Sequence, residues 1–162
     1  MSKQIVITGG LGYIGTELCK IYSGVSWNNE ILVIDNRFIS ERVNQLRNWG
    51  IDFIHGDILD KDLVSKHCKD ADIVHHLAGI TDVPRVKNES NNEKDYKIKL
   101  VGEEGTQNIL DVISDKCKII FPRIFYLLFI IRFGTCIRKY GFCIFFFHNI
   151  IFNFFYAFIN NM

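Results

Sequence analysis

Short apolar runs alternate along the first 121 residues with stretches where apolar positions recur every third or fourth residue. Gln4–Thr8 (QIVIT) is β-branched and nearly all apolar, which predicts a buried strand. Leu11, Ile14, Leu18 and Ile21 follow at helical spacing. Glu30–Asp35 (EILVID) predicts a second buried strand, and residues 40–49 a short helix carrying Val43, Leu46 and Trp49 on one side. Residues 51–55 predict a third strand. Asp60 is placed to cap a helix over Leu63, Val64 and His67. Residues 72–76 predict a fourth strand, and residues 92–114 one long helix with Ile98, Val101, Gly105, Ile109 and Val112 on a single stripe. Residues 118–121 open a fifth strand.

Strands alternating with helices imply right-handed crossovers and a parallel sheet. Strands this apolar fit a sheet with helices on both faces. The expected fold is therefore α/β of Rossmann type, incomplete after its fifth strand and followed by an apolar C-terminal tail.

Between the first strand and the first helix stands TGGLGYIG, residues 8–15, with glycines at 9, 12 and 15. In that context Gly9 allows a tight turn, Gly12 lets the backbone approach a pyrophosphate, and Gly15 lets the helix pack closely. The helix N-terminus then offers free N–H groups and partial positive charge to phosphates. Asp35 ends the second strand at the distance where a carboxylate accepts hydrogen bonds from a ribose diol. Such a carboxylate repels a 2′-phosphate, so NAD is expected over NADP. Arg37, two residues on, is close enough to reach a 2′-phosphate and pulls the other way.

Composition changes the picture at the C-terminal end. All 18 acidic residues lie at or before Asp115, where 13 basic residues leave a net charge of −5. The last 47 residues hold six basic residues, no acidic one and 12 of the 14 phenylalanines. The overall charge of +1 gives no nucleic-acid signal. Residues 142–159 are 18 positions without Lys, Arg, Asp or Glu, near the lower limit for a membrane-spanning helix. They also hold His148, Asn149 and Asn153, which are costly in hydrocarbon. The tail has neither strand nor helix periodicity. Out-of-frame or truncated sequence, derived from AT-rich DNA, is the favoured reading of 122–162, ahead of a membrane anchor.

The five cysteines, at 19, 68, 117, 136 and 143, include no CxxC pair, and the N-terminus has no leader-like segment. Reduced, mostly buried thiols in a cytoplasmic protein are expected, with membrane association through the tail as the alternative. His55, His67, His75 and His76 with Cys68 match no usual zinc spacing, so no metal site is expected. Asn88-Glu89-Ser90 fits a glycosylation sequon that has no meaning without a secretory route.

Taken in order, residues 3–121 resemble the extended short-chain dehydrogenase/reductases, the NAD-dependent epimerase/dehydratase group. The resemblance is carried by the glycine turn, by Asp35-Asn36, by His55-Gly56-Asp57-Ile58, by His76-Leu77-Ala78-Gly79 and by Gly105-Thr106-Gln107-Asn108-Ile109-Leu110. It implies that Asp57 and Ile58 flank the adenine and that Leu77, Ala78 and Gly79 line the ribose side of the cofactor. With Gly9, Gly12, Tyr13, Ile14, Gly15, Asp35 and Asn36 they make up the expected cofactor-binding set. The resemblance also implies a nucleotide-sugar substrate in an intact member. Two departures stand out: Gly102 replaces a common Asn, and Gly79 replaces the last Ala of HLAA.

A larger departure concerns the chemistry. Members of the group carry Tyr-xxx-Lys after the fifth strand, the phenol moving a hydroxyl proton and the lysine lowering its pKa. Here the residues four positions after Tyr13, Tyr22, Tyr96, Tyr126, Tyr140 and Tyr156 are Glu17, Ser26, Leu100, Ile130, Ile144 and Asn160. No catalytic residue is assigned. The expected role is the NAD-binding portion of a nucleotide-sugar epimerase, dehydratase or reductase, inactive as this chain. The alternatives are a non-catalytic NAD-binding module or a membrane-anchored Rossmann protein.

Overall fold

The computed structural model describes residues 2–25, 29–80 and 92–121. Five parallel strands, β1 (Gln4–Thr8), β2 (Glu30–Asp35), β3 (Asp52–His55), β4 (Ile73–His76) and β5 (Lys118–Ile120), stand in the order β3-β2-β1-β4-β5. Between them run α1 (Tyr13–Gly24), α2 (Ser40–Asn48), α3 (Lys61–Cys68), α4 (Asn92–Leu100) and α5 (Thr106–Val112). This is the Rossmann-like α/β sheet that the alternation predicts.

Alternate strand residues feed two cores. Ile5, Ile7 and Val33 pack with Leu18, Cys19 and Tyr22 of α1 and Val43 and Leu46 of α2. Val6, Ile34 and Val74 pack with Val64 and Cys68 of α3 and Ile109 and Leu110 of α5. Ile5, Val6 and Ile7 are wholly buried, and each such side chain contributes about 1.5–3 kcal/mol of transfer free energy. Asp60 caps α3, its Oδ1 accepting from the N–H groups of Asp62 and Leu63 at 3.1 Å.

Two expectations need correction. Leu11 lies in the turn rather than in α1, so it does not set the helix's phase. The buried face is Gly15, Leu18, Cys19 and Tyr22, and Ile14 points outward at 43% exposure. The long helix of residues 92–114 is broken by a π-helical turn, Val101–Gly105, and ends at Val112. Its extra residue seats Gly105 beneath Ile58, where a Cβ would meet Ile58 Cδ1 at 2.4 Å. Cys19, Cys68 and Cys117 are buried, and burial pushes the first two thiols up to about 12 and the third to about 11. Cys136, Cys143, the sequon and the whole of 122–162, including the candidate anchor, lie outside the described residues. Among the described residues no helix is long and apolar enough to cross a membrane.

Candidate functional site

Strand order reverses between β1 and β4, and a cleft of about 500 Å³ opens there at the carboxyl ends of the strands. Its floor is the turn from β1 into α1. Gly9 has φ +70°, and a Cβ on it would meet the Ala78 nitrogen at 2.6 Å. On Gly15 a Cβ would meet Gly10 Cα at 2.5 Å and the Gly9 carbonyl at 2.7 Å, so α1 packs against the turn's own backbone. Gly10 was not singled out by spacing, yet its Cβ would strike Val33 Cγ1 at 2.5 Å. Gly12 differs. Its φ of −71° and ψ of 171° suit any residue, and a Cβ there would find only the Gly9 carbonyl at 3.1 Å and Arg37 Nη2 at 3.7 Å. As the N-cap of α1 it offers no side chain, which leaves first-turn N–H groups for whatever enters the cleft.

One wall is the end of β2. The Asp35 side chain is 2% exposed, and its two oxygens are fully engaged. Oδ2 accepts from Leu11 N–H at 2.9 Å and Arg37 Nη2 at 3.1 Å; Oδ1 accepts from Arg37 N–H at 3.0 Å and Arg37 Nε at 3.1 Å. The carboxylate in turn holds the Arg37 guanidinium still more firmly in its charged form. Arg42 of α2 donates to the Leu11 carbonyl and ties the turn down from outside.

The next segment follows β3. Asp57 Oδ2 accepts from Asn36 Nδ2 at 3.0 Å and Oδ1 from Leu59 N–H at 3.0 Å. Asn108 of α5 donates to the Ile58 and Leu59 carbonyls at 3.1 and 3.3 Å. Ile58 borders the cleft while its side chain packs in the core over Gly105.

A directional chain of hydrogen bonds supports the third segment, residues 77–79. Thr106 Oγ1 donates to the Gly102 carbonyl at 2.7 Å, so it accepts from His76 Nε2 at 3.0 Å. That puts the ring proton on Nε2, and Nδ1 accepts from Thr8 Oγ1 at 2.8 Å. Thr8 Oγ1 accepts in turn from Ala78 N–H at 3.4 Å. The whole chain works only with a neutral imidazole. Burial lowers the pKa of His76, and of His75 beside Tyr22, to about 4.

These values set an acid limit on stability. Each histidine stays neutral in the fold and would take up a proton near pH 6.5 when unfolded. Its stabilisation is therefore present above pH 6.5 and lost as the pH falls toward 4, by roughly 3 kcal/mol per histidine. Thermal melts at stepped pH should show a steep drop across that window, shallower in His76→Gln. A melting temperature that holds level from pH 7 to pH 4.5 would contradict the assignment.

All twelve residues expected in the cofactor set border this one cleft, from three chain segments besides the glycine turn. Ile34, Gly56, Ile80 and Val101 also line it and are not in the expected cofactor set; Ile34 and Ile80 have only adjacency to motif residues as a signal, Gly56 stands within the His55-Gly56-Asp57-Ile58 motif, and Val101 is expected only on a helix stripe. The His/Cys group is dispersed. His75 turns to Tyr22, His76 to Thr8 and Thr106, and His55 Nε2 donates to the Asn36 carbonyl at 3.0 Å.

The family model for 3-beta hydroxysteroid dehydrogenase/isomerases matches residues 6–121. An uncharacterised membrane protein of Methanocaldococcus jannaschii is 31% identical over 117 residues, 70% of this chain and 33% of that protein. The UDP-N-acetyl-alpha-D-glucosaminuronate decarboxylase of Bacillus cytotoxicus is 30% identical over 123 residues, 75% of this chain and 36% of the enzyme. The chain thus spans about a third of the length of these relatives. In fold it is similar to UDP-glucose 4-epimerase from Brucella ovis, solved in complex with NAD, with a TM-score of 0.63 at 21% identity, over 87% of this chain and 50% of that one.

Proposed function

The chain belongs to the 3-beta hydroxysteroid dehydrogenase/isomerase family, within the NAD-dependent epimerase/dehydratase group, and from that premise we propose that residues 1–121 are the NAD-binding part of a nucleotide-sugar-modifying enzyme. One observation carries the reading. Three glycines of the turn, Gly9, Gly10 and Gly15, are required by contacts inside the chain, whereas Gly12 faces the cleft beside uncapped N–H groups. A small residue that the fold does not need is explained by a ligand that comes close to the backbone, and a pyrophosphate suits it by charge.

In this reading the cleft holds the dinucleotide with its pyrophosphate over Gly12, Tyr13 and Ile14 and its adenosine ribose at Asp35. The adenine lies by Asp57 and Ile58, and the second ribose by Leu77, Ala78 and Gly79. When bound, NAD supplies reversible hydride transfer. The chain's own residues bind and orient it; none of the six tyrosines has the lysine partner that would hold a proton on a sugar hydroxyl. The nucleotide-sugar substrate, like the cytoplasmic location, belongs to the proposal. Residues 122–162 are read as an apolar tail of out-of-frame or truncated origin, outside the cofactor unit.

Calorimetry on the full 162-residue chain tests this. NAD should bind more tightly than NADP. Asp35→Asn should weaken NAD by about 1.5–3 kcal/mol, about ten- to a hundredfold, as expected for a charge-assisted hydrogen bond. Equal affinity for the two cofactors, or no change in the variant, would remove Asp35 from the site.

A further inference from the structure

The four acceptor positions of the Asp35 carboxylate are all taken, two by backbone N–H groups and two by one guanidinium. Resting on the NAD reading above, we propose that Arg37 is a latch on the ribose-binding carboxylate and that its release sets the preference between NAD and NADP. The backbone donors, Leu11 N–H and Arg37 N–H, cannot leave without unfolding the turn, and they hold the carboxylate in place. The guanidinium can leave. The Arg37 side chain is 54% exposed, and it is tied to Asp35 by Nε and Nη2 alone among its charged contacts described. Its departure frees one acceptor on each carboxylate oxygen, which matches the two hydroxyls of a ribose.

Ribose binding and the ion pair therefore compete. Part of the affinity for NAD is spent in opening the latch, and the cost is modest because the guanidinium is half in water and the carboxylate keeps its two backbone donors. The released arginine stays at the same rim. Nη2 lies 3.7 Å from the Cβ position above Gly12, so the side chain spans the gap between the ribose carboxylate and the phosphate turn. A 2′-phosphate placed at Asp35 would meet a free guanidinium there, and planar bidentate pairing suits phosphate. Arg37 thus weakens NAD binding slightly and offsets the repulsion that Asp35 exerts on NADP.

The test is titration of the full chain, its Arg37→Ala variant and its Arg37→Lys variant with NAD and NADP, with Asp35→Asn alongside. Arg37→Ala should bind NAD about two- to fivefold more tightly and NADP about tenfold more weakly. Arg37→Lys keeps the charge without the two-point contact, so NAD should again tighten while NADP is largely retained. Unchanged NAD affinity in Arg37→Ala, beside a clear loss in Asp35→Asn, overturns the latch and leaves the cofactor site standing. No saturable NAD binding by the parent chain overturns the site itself and the latch with it. Weaker NAD binding in Arg37→Ala would mean that the arginine holds the cofactor directly, which also overturns the latch.

Discussion

Gly12→Val should abolish NAD binding while leaving the fold intact. The backbone at Gly12 is extended, φ −71° and ψ 171°, a conformation that valine adopts readily. The nearest obstacle to its Cβ is the Gly9 carbonyl at 3.1 Å, which has to yield by only a few tenths of an ångström. Gly9 fails both conditions, with its left-handed φ and a Cβ that would meet Ala78 backbone at 2.6 Å, and helical Gly15 fails the second, because its Cβ would overlap the turn's backbone at 2.5 Å. Changes at those two sites should lower stability and binding together. At Gly12 the added methyls would project into the space a pyrophosphate needs and keep it from the first-turn N–H groups. Losing two charge-assisted hydrogen bonds of about 1.5 kcal/mol or more each amounts to at least about a hundredfold in affinity. Far-UV circular dichroism, a thermal melt and an NAD titration on the same sample separate the outcomes. A variant that melts like the parent and still binds NAD normally would make the turn purely structural and remove the main support for the proposed function.

The sheet was legible from sequence because its strands are short, apolar and evenly separated by helical stretches. Gln4–Thr8 and Glu30–Asp35 appear with the bounds their composition suggests. What periodicity could not reveal was phase and interruption. Leu11 and Ile14 sit at helical spacing from Leu18, yet one plugs the turn and the other faces the cleft. The π-helical turn is invisible to a 3.6-residue pattern. It becomes intelligible only when Ile58 is seen above Gly105, 47 positions away along the chain with α3, β4 and α4 between them. Much the same holds for the site. Motif spacing brought twelve residues to one cleft, but the saturation of Asp35 by Arg37 and the direction of the Thr8–His76–Thr106 chain depend on rotamers and hydroxyl partners. Neither is written in a linear pattern.

The full chain should show no epimerase, dehydratase or reductase turnover on nucleotide sugars, even where it binds NAD. Hydride transfer uses the nicotinamide, but these reactions also move a proton on a sugar hydroxyl, and a positioned acid or base contributes typically about 10²–10⁴-fold to that step. Among the described groups bordering the cleft, none is suited to the task. Asp35 is saturated by four donors, and Asp57 accepts from Asn36 and Leu59. His76, just before the Leu77 that lines the cleft, is itself buried away from it, with both ring nitrogens committed to hydroxyls. Tyr13 is 80% exposed at the rim, and the residue four positions on is Glu17 rather than a lysine. An acid or base would have to come from elsewhere in the chain, where Tyr126 and Tyr140 lack a lysine at the required spacing. The assay is purified full chain with NAD and a panel of UDP- and dTDP-sugars, followed by NADH absorbance and by product analysis. Turnover above background that disappears in Gly12→Val would refute the expectation. It would show that the chain supplies a base outside the tyrosine–lysine pattern, and Tyr126→Phe and Tyr140→Phe would then identify which phenol provides it.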